Sequence, residues 1–314
     1  MNRLKALIAT HPAATYFGLT FVISWGGALL AIGGSGAMRG TTPTSDVRFA
    51  QALIAMLAGP SLAGILLTAL LHGRTGLLEF LSRLLTWRVG SLWYAVALLA
   101  APVVMTITLL ALSSASPAFL PGLFTSNDRA SLLLVSLAVG LSAGIFEELG
   151  WTGFAIPTLR RRYGVVATGL IVGILWSAWH LLPNIWASRA ASGELAMPLY
   201  FAGTAVGVFV GYLTAFRVLM VWFYDHTQSL FVAMLMHVSL TASLLILNPL
   251  GISGANLLVF SFAFAAAVWG VVVVIASQDR WHLERRPLRS SRRAASAGHD
   301  ALTSIARDAV RRVH

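Results

Sequence analysis

The sequence contains no cysteine, and this absence excludes two kinds of site. With 0 cysteines among 314 residues, the chain has neither a disulfide nor a thiolate metal ligand. Any metal ion would have to be held by histidine, glutamate or aspartate. The sequence also lacks the His-Glu-x-x-His signature of zinc proteases and the Gly-x-Ser-x-Gly signature of serine hydrolases. A serine-type protease therefore has little support.

Charged side chains are scarce. They make up 11% of the residues, whereas a soluble domain usually carries about a quarter. Hydrophobic side chains make up 57%, so we predict an all-α polytopic membrane protein. The formal net charge of +11 is interpreted as membrane topology and contact with anionic lipids, and no nucleic-acid partner is expected.

Eight apolar runs are long enough to cross a bilayer, for which a helix needs about 20 residues. They cover residues 14–33, 49–71, 92–114, 131–156, 165–186, 199–222, 228–247 and 255–276. We therefore predict a transmembrane helical domain over 1–278, with a motif core at about 140–245. Residues 279–314 form a predicted basic tail, interpreted either as a short amphipathic helix on anionic lipid or as disordered chain.

The basic residues predict the orientation. With the N-terminus inside, 18 arginines and lysines fall on the cytoplasmic side, Arg217 among them, and 4 fall outside. This is the asymmetry of the positive-inside rule, and it also supports an even number of spans. We expect a multi-pass protein of a cell membrane, with a bacterial inner membrane as the hypothesis and with both termini in the cytoplasm.

Acidic residues are almost absent from the apolar runs, with one exception. Glu147 and Glu148 are adjacent inside the run from Ser131 to Ile156. A charged side chain at the bilayer centre costs roughly 2.5–3.5 kcal/mol on insertion scales, so such a pair needs a compensating partner or a function. We interpret the pair as functional.

Two histidines, His180 and His237, lie in the later runs. In a hairpin of the fourth and fifth spans, Glu147 and His180 are each 16 residues from the turn, roughly 24 Å along the helices, and are predicted to face one another. Side chains four residues apart share a helix face, which adds three supporting residues. These are Thr152 after Glu148, Trp176 before His180 and Thr241 after His237.

These residues permit two hydrolytic mechanisms. In the first, Glu147 is the base, His180 orients the water and His237 donates to the oxyanion. In the second, Glu147, His180 and His237 hold a divalent metal such as zinc, and Glu148 is the base. The cofactor is left open. A proton-coupled transporter would also place such residues at mid-membrane, and a non-catalytic immunity or scaffold protein is the third class considered.

The motifs resemble those of the CAAX-protease and bacteriocin-processing family, also called the Abi family. The matching segments are Glu147–Phe154, Trp176–His180 and His237–Thr241, in the family's order and spacing. The chain departs from the pattern at Thr152, where the family has arginine, and at Thr241, where it has asparagine or aspartate.

The resemblance implies an intramembrane endopeptidase similar to the type II CAAX prenyl endopeptidases. Carried over by position, Glu147 with His180 would activate the attacking water, Glu148 would support the site and His237 would stabilise the oxyanion. Either a glutamate-type or a metalloprotease mechanism is compatible with the family. The partner would be a peptide or protein substrate at the membrane.

The orientation can be tested with single cysteines, since the chain offers no background thiol. A cysteine placed in the loop at 187–198 is expected to react with a membrane-impermeant maleimide added from the outside. A cysteine at 157–164 serves as the inside control. Labelling of the 187–198 position only from the cytoplasmic side would contradict the topology.

Overall fold

The computed structural model describes residues 3–38 and 47–278, and every regular element in these ranges is helical. The predicted tail at 279–314 lies outside the described residues. In chain order the α-helices are α1 (Arg3–Thr10), α2 (Pro12–Ile32), α3 (Val47–Leu84), α4 (Ser91–Ser113), α5 (Gly122–Thr125), α6 (Arg129–Gly150), α7 (Ile156–Arg160), α8 (Val165–Trp179), α9 (Leu181–Ser192), α10 (Met197–Thr204), α11 (Thr214–Thr227), α12 (Leu230–Leu247) and α13 (Gly254–Gln278). Two π-helical segments join α6 to α7 (Trp151–Ala155) and α10 to α11 (Ala205–Leu213).

The all-α, multi-pass architecture is confirmed. Seven of the described helical segments are long and apolar enough to cross a membrane, and the pair α8 and α9 makes an eighth if it counts as one span. Helices suit the interior of a lipid bilayer because all their backbone groups can form hydrogen bonds within the helix. Large apolar side chains such as Val22, Leu30 and Ile54 are exposed on the outer faces, as expected of surfaces that contact lipid.

The fifth predicted span, 165–186, is not a straight helix. α8 ends at Trp179, and α9 departs from it at an angle of 59°. His180 occupies the break, with φ −77° and ψ −2°. The residues on both sides are apolar, so hydropathy detects the run but not its change of direction.

Two pairs of glycines allow the close helix contacts that build the centre of the molecule. A Cβ atom on Gly144 of α6 would lie 2.8 Å from the carbonyl oxygen of Met234 on α12. A Cβ atom on Gly169 of α8 would lie 2.6 Å from the Cα atom of Val218 on α11. Gly140 and Gly173 make similar contacts with the same partner helices. Small residues at such positions let helix backbones approach closely in a membrane.

These contacts change the predicted pairing of helices. α6 packs mainly against α12 and α3, and α8 packs mainly against α11. The fourth and fifth spans therefore do not form the tightly packed hairpin that the chain order suggested. Gly203, Gly207 and Gly211 allow another close contact, since Cβ atoms there would meet Leu258, Ser261 and Ala265 of α13.

The close contacts predict a difference in stability between glycine variants. Gly144→Ala and Gly169→Ala should each lower the free energy of unfolding by about 1–3 kcal/mol, the usual cost of overpacking. Gly270→Ala on α13 is the matched control, because a Cβ atom there meets nothing within 4 Å. That variant should be neutral or more stable by up to about 1 kcal/mol, since alanine favours helix. Equal thermal shifts for all three in detergent would contradict the packing.

Candidate active site

Glu147 and Glu148 close the last turn of α6, just before the π-helical segment Trp151–Ala155. Their side chains are 3% and 0% exposed, respectively. Adjacent residues on a helix point about 100° apart, so the two carboxylates reach different neighbours. Short π-helical segments inside helices are frequent at functional sites.

Glu148 is held by three side chains. Nη1 of Arg217 donates to both carboxylate oxygens at 2.8 and 3.0 Å, and Nδ1 of His237 lies 2.6 Å from Oε1. Oγ1 of Thr152, one turn further along the chain, donates to Oε2. A carboxylate that accepts several charge-assisted hydrogen bonds is fixed in both position and charge. Thr152 thus supports Glu148 as its spacing predicted.

Glu147 has a different environment. Its Oε2 accepts a hydrogen bond from Nε1 of Trp176 at 2.7 Å and lies 4.0 Å from Nε2 of His237. Trp176, predicted as a supporting residue, is thus the direct partner of Glu147 on α8. No hydrogen bond between Glu147 and His180 is seen in the described part of the chain, and their predicted meeting stays a prediction. Trp176, one turn before His180, makes the contact with Glu147.

His237 lies between the two glutamates. Its Nδ1 faces Glu148, its Nε2 faces Glu147, and its ring meets the ring of Trp176 edge-on with centroids 5.3 Å apart. The glycine contacts explain this placement, because they bring α12 against α6 one turn before Glu148. The site therefore contains the predicted histidine beside both acids.

His180 is partly exposed at the break between α8 and α9. Its Nδ1 lies 2.9 Å from the carbonyl oxygen of Trp176, to which it donates, because a carbonyl can only accept. The rings of Trp176 and Trp179 meet the imidazole edge-on at 5.2 and 4.8 Å. Nε2 of His180 has no hydrogen-bond partner in the part of the chain that the structure describes, so it is available to a ligand or water.

Arg217 was missed as a site residue, and its assignment to the cytoplasmic face was wrong. It is 0% exposed within the candidate span Met197–Thr227, and its Cζ lies 4.1 Å over the ring of Trp176. Without it, 17 basic residues remain on the inside, so the predicted orientation keeps its support. A signal was available in the sequence, because a lone arginine inside an apolar run needs a carboxylate partner.

Thr241 is not part of this network. It lies on α12 one turn after His237 and is partly exposed, and no contact between it and the two glutamates is seen in the described part of the chain. The departure from the motif at this position therefore leaves the contacts of Glu148 unchanged.

The metal hypothesis finds no preformed ligand set. In residues 3–38 and 47–278, no group of three or more His, Asp or Glu side chains is close enough to hold a metal ion. Glu148 is occupied by Arg217, and Glu147 is tied to Trp176. As arranged, these side chains do not fit a zinc ion with three protein ligands. Zinc binding stays a prediction.

Two further arginines make polar contacts outside the network of the two glutamates. Arg83 of α3 donates to the carbonyl oxygen of Gly153 in the π-helical segment at 3.0 Å and to the hydroxyl of Tyr224 at 2.9 Å. Arg160 of α7 forms an ion pair with Asp225 of α11 at 2.5 Å. These contacts tie the segment after the glutamates to α3 and α11.

Comparison with known proteins agrees with this geometry. Residues 129–243, which contain both glutamates and both histidines, match the family Type II CAAX prenyl endopeptidase Rce1-like. Residues 129–243 are therefore similar to a CAAX-protease family domain. The predicted resemblance is thereby confirmed. Over 77 residues, the chain is 35% identical to CAAX prenyl protease 2 of Methanococcus maripaludis. The aligned residues are 24% of this chain and 27% of that protein, so the chain matches about a quarter of its relative.

The hydrogen bond between Trp176 and Glu147 predicts a measurable difference between two tryptophan variants. Trp176→Phe removes the N–H donor from a buried carboxylate, which should cost about 1–3 kcal/mol of unfolding free energy beyond the loss of ring volume. Trp151→Phe is the matched control. It is equally buried, and its Nε1 has no hydrogen-bond partner in the part of the chain that the structure describes.

The excess cost should disappear when Glu147 is first replaced by leucine, because the acceptor is then gone. Chemical unfolding in detergent compares the wild type with the three single variants and the double variant. Equal costs for Trp176→Phe and Trp151→Phe would show that the hydrogen bond contributes nothing to stability.

Proposed function

We propose that this protein is an intramembrane endopeptidase that hydrolyses peptide bonds near the membrane by a glutamate-type mechanism. The observation that carries the proposal is the unequal pairing of the two glutamates. Glu148 is neutralised by Arg217 and bonded on both oxygens, whereas Glu147 accepts one hydrogen bond within the described residues. One carboxylate is therefore committed to the structure, and the other keeps free lone pairs with which to act as a base.

His180 is suited to position the attacking water with Glu147. Because Nδ1 of His180 donates to a backbone carbonyl, the neutral ring presents Nε2 as an acceptor. His180 is the more exposed of the two site histidines, which suits a contact with incoming water. General acid and base groups need only hydrogen-bond reach of the reacting atoms.

His237 is suited to stabilise the oxyanion. Its Nδ1–H points at Glu148, so a donor role for Nε2 requires the doubly protonated ring. Two carboxylates and one guanidinium leave the cluster one positive charge short of neutrality, and in this proposal His237 carries that charge. A cation placed where negative charge develops is the usual means of stabilising a tetrahedral intermediate.

In this mechanism Glu147 takes a proton from water while the water oxygen bonds to the peptide carbonyl carbon. The carbonyl oxygen becomes an oxyanion against Nε2–H of His237. The C–N bond then breaks, and Glu147 returns the proton to the leaving nitrogen. The base therefore ends each cycle as a carboxylate, and the products are one new carboxyl group and one new amine.

The names of the relatives support a proposal for the substrate class. The matched family and CAAX prenyl protease 2 both carry names that refer to prenylated CAAX sequences. We propose a membrane-bound peptide or protein substrate of this kind. A fluorogenic farnesylated CAAX peptide and its unprenylated counterpart are the two substrates to compare in proteoliposomes.

The mechanism predicts that Glu147→Gln keeps the fold and loses cleavage. Glutamine is nearly isosteric and cheaper to bury than a carboxylate, and positioned general-base catalysis typically contributes 10²–10⁴-fold. His180→Ala should cause a similar loss, and the double variant should fall far short of additivity if both act on one water. Glu194→Gln, at an exposed position, is the control. Full cleavage by Glu147→Gln would leave a transporter or an immunity protein as the better interpretation.

Metal dependence is tested separately. A glutamate-type enzyme should keep its activity after dialysis against 1,10-phenanthroline and should contain no stoichiometric zinc by elemental analysis. Loss of cleavage that is restored by added zinc, and not by magnesium, would instead support the predicted ligand set of Glu147, His180 and His237.

A further inference from the structure

We infer that Arg217 is a positioning residue that supplies, from α11, the charge that the family's motif places at position 152. Resting on the proposed function, the inference concerns how the site is held rather than which bond it cuts. Arg217 keeps Glu148 a carboxylate, and Glu148 in turn orients His237. Arg217 lies outside the three motif segments, so the motifs did not predict this contact.

The first support is the fit between Arg217 and Glu148. Nη1 contacts both oxygens of the carboxylate at 2.8 and 3.0 Å, and both side chains are fully buried. A buried carboxylate without a counter-charge would destabilise the fold, and removing one partner of such a pair leaves the other charge buried and unpaired. Arg217 is the only guanidinium that the described residues place against this carboxylate.

The second support is the placement of Arg217 by the fold. Gly169 and Gly173 let α8 contact the backbone of α11 at Val218 and Thr214. Residue 217 falls on the same stretch of α11, so its guanidinium reaches the face of Trp176, with Cζ 4.1 Å from the ring. The indole face and the carboxylate therefore hold the cation from two sides, an arrangement in which cation–π attraction adds to the ion pair.

The third support is the residue that replaces the motif's arginine. Thr152 is fully buried and donates a hydrogen bond to Glu148 without bringing a charge. An arginine at 152 beside Arg217 would put two cations on one carboxylate in a buried site. A small hydroxyl at 152 and a cation at 217 are therefore complementary choices, which explains the departure from the family pattern.

The consequence for the reaction passes through His237. Because Glu148 is a carboxylate, it accepts a hydrogen bond from Nδ1–H of His237, and this orients Nε2 toward Glu147, 4.0 Å away. A support of this kind fixes the rotation of the ring and the nitrogen that faces the substrate. Arg217 touches no reacting atom.

The deciding experiment relocates the charge. Arg217→Met should lower kcat on the order of 10–100-fold, the loss typical when the hydrogen-bonded support of a site residue is removed, with KM little changed. Adding Thr152→Arg to that variant should restore kcat at least tenfold over Arg217→Met. Thr152→Arg alone should not exceed the wild type, because the ion pair is already present.

Arg160→Met is the matched control. It breaks another ion pair between an arginine and a carboxylate, on Asp225 of the same helix α11. This variant should lose thermal stability and keep kcat, and Thr152→Arg should not rescue it. A purely structural role for Arg217 would instead give parallel losses in the two arginine variants, with no rescue by relocation.

A second readout separates this inference from the proposed function. In protein labelled with ¹⁵N-histidine, the His237 signal should report a protonated Nδ1 in the wild type and in Thr152→Arg/Arg217→Met, and a changed state in Arg217→Met. If the wild type cleaves no test peptide, the proposed function fails and the spectra still decide the role of Arg217. A folded double variant with neither the kinetic nor the spectral recovery overturns the inference, as does full kcat in Arg217→Met.

Discussion

The buried ion pair between Arg217 and Glu148 is the interaction on which the centre of this protein depends. Two adjacent carboxylates in an apolar helix cannot both remain charged and unpaired. Glu148 is paired on both of its oxygens, whereas Glu147 accepts one hydrogen bond within the described residues. The pairing needs α6, α8, α11 and α12 at close range, and the glycines at the α6–α12 and α8–α11 contacts provide that range. The ion pair at the site therefore depends on the same close helix contacts that hold the bundle together.

Trp176 contacts three of the side chains at this centre. It donates to Glu147 through its indole nitrogen, covers Arg217 with its face, and accepts from His180 through its backbone oxygen. One large rigid side chain thus positions a carboxylate, a counter-ion and a histidine together. Aromatic residues serve this purpose well because a single ring offers an apolar face and a polar edge.

Much of the fold could be predicted from sequence because the bilayer leaves few choices. Runs of apolar residues located all eight segments, and the scarcity of intramembrane acids singled out Glu147 and Glu148. The proximity of His237 also followed from the motifs. The break at His180 could not be found this way, since hydropathy carries no information about helix direction across an apolar run.

Arg217 was missed as a site residue for a different reason. Counting basic residues by side of the membrane treats each arginine as a topology marker, and this one is a counter-ion 69 positions from its partner. A contact of that kind depends on which helices pack together, and the chain order suggested the wrong neighbours for α6 and α8. An inventory of intramembrane charges of both signs would have indicated the pair without saying how the helices bring it about.

The broken span has a consequence for where the folding unit begins. At the break, the carbonyl oxygen of Trp179 accepts a hydrogen bond from Nε1 of Trp25 on α2 at 3.0 Å. Arg83 of α3 likewise donates a hydrogen bond to the carbonyl oxygen of Gly153. Both donors precede residue 129, where the family likeness starts. The segment that resembles the family therefore has backbone groups that are paired by helices outside it, so a fragment of residues 129–243 would lose these two hydrogen bonds.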